Sequence, residues 1–256
     1  KFVKENKKQI DKILLANWHH DFDKIYLINL KTKPERKKQS FKILNKLHVP
    51  SNKIEVITAT TPTSNMIREM NKLGFKGTSL KDFLSNKRYT DLMWHKKQKE
   101  KTEGEPNPSK KMYNEILVEF AVAISQMRAI KKGMDNNETI LMLEDDFGPV
   151  SDFYNVDNHK LHRQIDWETL YLGDCRQMRS GKSIKLIKGK NNSLIKSYTV
   201  CHQSIAFRPS LGRRIFIKKK VAPYTGPIGP FDDELSYYMH KYNVKFAIFD
   251  KILMTQ

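Results

Sequence analysis

An α/β fold with a central mixed, mostly parallel sheet flanked by helices is what the sequence predicts. Three observations predict it. The chain has 256 residues, 39% of them hydrophobic, enough for a substantial core. In its first half, short apolar runs alternate with segments of helical period, the pattern of β-α-β units. In its second half, shorter strand-like runs follow one another closely, as in hairpins.

The first 20 residues read as a basic helix with Ile10, Ile13, Leu14 and Trp18 on one side. His19, His20, Asp21 and Asp23 then read as an exposed linker, since adjacent histidines cannot easily share one ion. "KIYLINL" (24–30) is a buried strand. Thr32 and Glu35 have capping-box spacing, and Pro34 suits a first helical turn. Phe41, Leu44 and Leu47 continue that helix until Val49-Pro50. "KIEVITA" (53–59) is the next strand, parallel to the first. Residues 62–112 are less regular, and the charged stretch 95–111 reads as a surface loop. The helix "NEILVEFAVAISQMRAIKKG" is apolar on nearly every face over 116–124, so it should be buried, with a stop at Lys131 to Gly133.

The strand "ILML" follows and runs straight into Glu144, Asp145 and Asp146. Later strands are expected at 168–173, 183–188, 194–200, 204–207 and 244–249, with helices over 209–219 and across "PFDDELSYYMHKY".

Net charge is +19, but only ten of the 47 basic residues are arginine, and the lysines are scattered. Phosphate readers favour arginine forks, so this reads as a lysine-rich solvated surface with no specific nucleic-acid partner. Cys175 and Cys201 fit no metal spacing, and the sequence does not decide whether they pair. No run approaches a membrane span, and no signal-peptide pattern stands at Lys1. The abrupt start and stop read as an excised domain. The compartment stays open between cytoplasm and endoplasmic-reticulum lumen. The Lys- and Asn-rich composition suggests an AT-rich genome, viral or otherwise.

Three adjacent carboxylates repel one another and resist burial, so placing them after a buried strand needs a reason. In open α/β sheets ligands sit beyond the carboxyl ends of strands. By strand alternation Glu144 and Asp146 converge on one cation, while Asp145 points elsewhere, free to accept hydroxyl hydrogen bonds. Hard oxygens suit Mn²⁺ or Mg²⁺, which would stabilise a diphosphate leaving group. The bland alternative is a solvated acidic turn.

The ordered set "IYLINLKTKPER", "FAVAISQMRAIKKG", "ILMLEDDF", "WETLYLGDC", "SYTVCHQSIAFRPSLGRRI" and "GPFDDELSYYM" resembles glycosyltransferase family 25 over most of residues 23–250. Its matching positions are Asn29, Leu30, Pro34, Arg36, Ser125 and the acidic triplet. Gln126 stands where the family has histidine, and Cys201 to Gln203 depart from its pattern. That family includes bacterial lipooligosaccharide and procollagen galactosyltransferases. The resemblance implies a GT-A-like fold, a divalent metal, a UDP-galactose or UDP-glucose donor, inversion at the anomeric carbon, and a glycan or collagen-like acceptor. It implies a domain over 23–256, with a nucleotide-binding half at about 23–150 and an acceptor-side half at about 151–256, after a basic helical segment at 1–22.

With that family in view, Asn29, Leu30 and Arg36 lie near the nucleotide; Arg36 is otherwise an ordinary helix charge. Thr58 to Thr60 line the uracil pocket. Ser125 and Arg128 share one helical face, and Arg128 contacts either ligand or a structural acid. Asp233, then Asp232, with Glu234 beside them, are the candidate catalytic bases, or else cap their helix. A third metal ligand often lies late in GT-A chains, and this chain ends before an obvious one. Two rivals remain: a metal-dependent nuclease or phosphotransferase, and a non-catalytic sugar-nucleotide-binding module.

Overall fold

The computed structural model describes residues 17–63, 66–75, 108–173, 180–198, 204–217, 235–236 and 239–255. The candidate bases Asp232, Asp233 and Glu234, and both cysteines, lie outside the described residues, as does most of the expected N-terminal helix.

The first unit follows the sequence closely. Strand β1 (Lys24–Asn29) leads through helix α1 (Pro34–Lys46) to β2 (Ile54–Thr58), which pairs parallel to β1. The α1 start is a correction. Pro34 opens the helix as expected, but the N-cap is Lys33, with no side-chain cap. A turn closed by Lys33 N donating to Leu30 O (2.8 Å) carries the chain past Thr32 before the helix begins. The stop is a Schellman motif. His48 takes a positive φ of 60°, Val49 N donates to Leu44 O, and His48 N donates to Asn45 O.

A short helix α2 (Met66–Lys72) precedes α3, which runs over Pro108–Asp135. Residues 108–111, expected in a loop, are thus helical. The expected stop at Gly133 lies inside the helix. Chain reversal comes instead at Asn137 (φ 55°), in a second Schellman motif. Helix α3 returns the chain to β3 (Ile140–Glu144), parallel to β1 on the side away from β2. The first three strands therefore diverge around β1, and such a switch point opens a crevice at the strands' carboxyl ends.

After β3 come a short strand β4 (Gly148–Pro149), a small helix α4 (Val156–Leu161), and strands β5 (Thr169–Gly173), β6 (Ser180–Lys188), β7 (Ser193–Tyr198) and β8 (Ser204–Phe207). Helix α5 (Pro209–Phe216), β9 (Phe246–Phe249) and β10 (Met254–Thr255) complete the described elements. The main sheet has eight strands in the order β2-β1-β3-β8-β5-β9-β7-β6, and β10 pairs with β4 apart from it. The pairings leave six of the eight strands running in one direction, with β7 and β8 reversed. The sheet is mixed: most strands share one direction, while three of the seven neighbouring pairs are parallel and four antiparallel, with β6 and β7 forming the expected hairpin.

Period-two alternation sends each strand's side chains to two separate cores. Tyr26, Ile28, Ile140, Met142, Ile205 and Phe207 pack against α3 through Phe120, Ile124, Met127 and Ile130. Ile25, Leu27, Leu141, Leu143 and Leu170 pack on the other face against Leu44 of α1 and Leu47 at its C-cap, with Trp18, Phe22 and Phe153. Helix α5 crosses α3 closely at Gly212, where a Cβ would sit 2.6 Å from Met134 Cβ.

The expected exposed linker is corrected in part: His20 and Asp23 are exposed, but His19 is buried and Asp21 half-buried. Trp18, His19 and Phe22 are each 2% exposed, and Trp18 Nε1 donates to Leu47 O at 3.0 Å. Asp21 accepts Arg163 Nε and Nη2 at 2.8 to 3.0 Å and lies 3.2 Å from His162 Nε2. Burial alone would raise the Asp21 pKa, but these two partners bring it below the usual value. The aromatic residues win the segment for the core, a long-range effect that local charge does not reveal.

Candidate functional site

Register places the site. Asn29 pairs with Thr58 across β1 and β2, and Ile28 with Glu144 across β1 and β3. The carboxyl ends of three parallel neighbours thus meet at one edge, with α1 starting on one side and α3 passing over the other. A cleft there is lined by Ile28, Leu30, Ala59, Thr60 and Pro62 from the strand ends. Val118, Ala121, Val122, Ser125 and Gln126 come from α3, and Arg36 and the triplet complete it.

Asp145 is the centre of the hydrogen-bond network. Asn29, itself 4% exposed, donates from Nδ2 to Asp145 Oδ2 at 2.6 Å and to Lys33 O at 3.0 Å. Asn29 O accepts from Ala59 N at 2.8 Å, so this one residue ties β1 to the chain after β2 and to the start of α1. Ser40 Oγ lies 2.9 Å from both Asp145 O and Arg36 O, and its single proton goes to one or the other. Arg36 Nη1 donates to Asp145 Oδ1 at 3.2 Å and to Asp146 Oδ2 at 3.3 Å. These interactions raise the guanidinium pKa, led by the Asp145 hydrogen bond and charge and then by the charge of Asp146. The Arg36 side chain is 47% exposed, Asp146 39% and Asp145 10%.

Strand alternation stops at Glu144, which modifies the expected geometry. Phe147 N donates to Glu144 O at 3.3 Å, so residues 145–146 form a turn and do not continue the strand. Asp145 and Asp146 both reach Arg36, and all three acids line the cleft. The turn cancels the two-residue period, so burial and partners, not alternation, distinguish Asp145 from Asp146. Glu144, on the α3 face with Met142, accepts from Gln126 Nε2 at 3.1 Å.

Ser125 and Arg128 act on the chain leaving β2. Ser125 Oγ donates to Ala121 O and accepts from Thr60 N, both at 2.8 Å. Arg128 Nη1 donates to Thr58 O at 3.1 Å. Together they fix residues 58–60 beside the cleft. Arg128 is only half-buried and bonds a main-chain carbonyl, where the sequence left a choice between ligand and a structural acid. Thr60 Oγ1 is buried without a hydrogen-bond partner among the described residues, at a position lining the cleft.

Among the described residues no group of three or more His, Cys, Asp or Glu side chains is arranged to hold a metal ion. The donor chemistry at the cleft is hard carboxylate oxygen. Mg²⁺ and similar ions typically take one or two carboxylates and fill the remaining positions with water and substrate phosphate. The acids lining the cleft therefore suit a hard divalent cation whose shell water and phosphate complete.

Residues 22–226 match the family model described as glycosyltransferase family 25 (LPS biosynthesis protein). The chain belongs to glycosyltransferase family 25. No curated protein matches it. Its mixed sheet, with helices on both faces, agrees with the GT-A-like fold that this family membership implies. As a glycosyltransferase it passes a sugar from a donor to an acceptor. No helix among the described residues is long and apolar enough to cross a membrane.

Some contributors to this glycosyltransferase's cleft are not evident in the sequence. Val118 and Val122 were expected to be buried, yet they are 50% and 38% exposed. One apolar stripe of α3 faces the cleft, not the core. The signal was the all-round apolarity of 116–124, which exceeds what one sheet face can cover. Ser40 gave no signal, because its role depends on the turn at Asp145.

Proposed function

We propose that this chain is a metal-dependent, inverting glycosyltransferase that moves galactose or glucose from a UDP-sugar to a hydroxyl acceptor, either a glycan or a collagen-like protein. The observation that carries the reading is the meeting of the acidic triplet, Arg36 and an apolar-walled cleft at the switch point of the sheet. A nucleotide-sugar needs this combination: an apolar slot for a base, hydroxyl and amide groups for a ribose, and charge beside a diphosphate.

In this reading the base lies between Val118 and Val122 of α3 and Ile28 and Pro62 at the strand ends. Thr60 Oγ1 supplies the unused polar group there. Ser125 and Arg128 hold the 58–60 segment in place. Glu144 and Asp146 would hold Mn²⁺ or Mg²⁺, which when bound supplies positive charge to the leaving diphosphate. Gln126 orients the Glu144 carboxylate through its 3.1 Å hydrogen bond. Asn29 and Ser40 fix Asp145, and Asp145 in turn fixes Arg36. The acceptor hydroxyl oxygen attacks the anomeric carbon as its bond to the diphosphate oxygen breaks, and the hydroxyl proton passes to a carboxylate. The candidates for that carboxylate are Asp233, then Asp232, with Glu234 beside them, from the family resemblance.

Thermal unfolding with Mn²⁺, UDP, both or neither tests the reading. A ligand that binds only the folded state raises the melting temperature by mass action. Mn²⁺ and UDP together should raise it more than either alone. A melting temperature unmoved by the pair contradicts the reading.

A further inference from the structure

Arg36 makes two ion pairs with acids that differ in freedom. Asp145 is 10% exposed and fixed by Asn29, and its main chain lies against Ser40. Asp146 is 39% exposed, and its ion pair among the described residues is with Arg36 alone. The Arg36 side chain is itself 47% exposed at the first turn of α1, with its main chain set by the helix. Exposed pairs of this kind are screened by water, so the guanidinium can leave Asp146 at little cost. Yet while it stays, it covers a carboxylate that the proposed function assigns to a divalent cation. Two cations on one carboxylate pair repel, so arginine and metal compete for it.

We infer, resting on the proposed function, that Arg36 is a displaceable counterion. It neutralises Asp145 and Asp146 before the donor binds, and it yields Asp146 to the divalent cation when a nucleoside diphosphate offers the guanidinium a new anion. Asp145 remains the fixed post from which Arg36 swings. The site then avoids bare acid repulsion without a permanent metal. Cation and donor bind cooperatively, because each removes an obstacle to the other. Such coupling is reciprocal: UDP tightens Mn²⁺ by the factor by which Mn²⁺ tightens UDP. Arginine suits the exchange because its planar fork pairs equally well with carboxylate and phosphate.

The test measures Mn²⁺ binding from the electron paramagnetic resonance signal of the free ion, with and without UDP, in the wild type, Arg36→Gln and Arg36→Lys. Circular dichroism melts establish that each variant is folded. In the wild type, UDP should tighten Mn²⁺ by about tenfold or more, within the usual range of site-to-site coupling. Arg36→Gln should bind Mn²⁺ alone about tenfold more tightly than the wild type and lose most of the coupling. Arg36→Lys should retain part of it. If Arg36→Gln binds Mn²⁺ alone no more tightly than the wild type, the exchange is wrong, while wild-type coupling leaves the glycosyltransferase reading standing. UDP binding that is equally tight with and without Mn²⁺ in the wild type also overturns the exchange. A wild type that binds neither Mn²⁺ nor UDP overturns that reading and this inference with it.

Discussion

If Asp145 is a structural post, its bond to Asn29 should dominate its contribution to stability, and its ion pair with Arg36 should matter less. The perturbation is a double-mutant cycle of Asn29→Ala and Asp145→Ala. The 2.6 Å bond joins an ionised carboxylate to an amide that is 4% exposed. Hydrogen bonds to charged groups contribute about 1.5–3 kcal/mol, and that is the expected coupling energy. The Arg36–Asp145 pair has a partner that is 47% exposed, so the coupling from a parallel Arg36→Ala cycle should be the smaller of the two after solvent screening. Urea unfolding followed by tryptophan fluorescence gives the energies, since Trp18 and Trp167 are each 2% exposed in the folded state. The slope with urea should be unchanged, so that midpoint shifts report stability. Additivity of Asn29→Ala and Asp145→Ala within about 0.5 kcal/mol refutes the post. A larger coupling for Arg36 than for Asn29 refutes the ordering of the two contacts.

Two further outcomes are expected. Burial among Phe153 and Trp18 holds the His159 pKa down from 6.5 to about 4, with Nε2 2.6 Å from Phe153 O. The unfolded chain therefore takes up the proton first. The stability due to neutral His159 is complete above pH 6.5 and declines as pH falls toward 4, by about 3 kcal/mol at roughly 1.4 kcal/mol per pKa unit. Nearby His162 and Arg163 oppose protonation and Asp21 favours it. Unfolding free energies between pH 7 and 4 should fall, and His159→Phe should flatten the curve; an unchanged slope removes His159 as the cause. Separately, Asp233→Asn should lower turnover by about a hundredfold or more while UDP and Mn²⁺ still bind. If Asp232→Asn alone has that effect, the base is Asp232, and normal turnover in both variants removes both as the base.

The sheet was legible where local pattern and tertiary packing agree. "KIYLINL" and "ILML" are apolar on both faces because two cores press on them, and a run without alternation shows that directly. The helix after Lys33 was legible from Phe41, Leu44 and Leu47, but its cap was not. Thr32 has the right residue type, yet a main-chain turn at Leu30 decides where the helix starts. The acids were legible as a group at a strand end. Their orientation was not, since one turn at residues 145–146 cancels the alternation used to sort them. Arg36 was found through its motif, but its pairing with Asp145 and Asp146 spans more than 100 residues and leaves no local trace. The segment after Trp18 was misread at His19 and Asp21 for a similar reason. Its histidines and acids look solvated, while its partners Leu47, Phe153 and Arg163 lie far along the chain.

The central claim is that the cleft at Glu144 to Asp146 binds and cleaves a UDP-sugar with the help of a divalent cation. Incubating the protein with a panel of UDP-sugars, Mn²⁺ and hydroxyl acceptors of glycan and collagen-like type, and scoring released UDP, tests it most directly. The account predicts release from UDP-galactose or UDP-glucose, dependent on the cation and lost in Asp146→Asn while that variant stays folded. Release that continues undiminished in Asp146→Asn, or no release from any UDP-sugar, would contradict it.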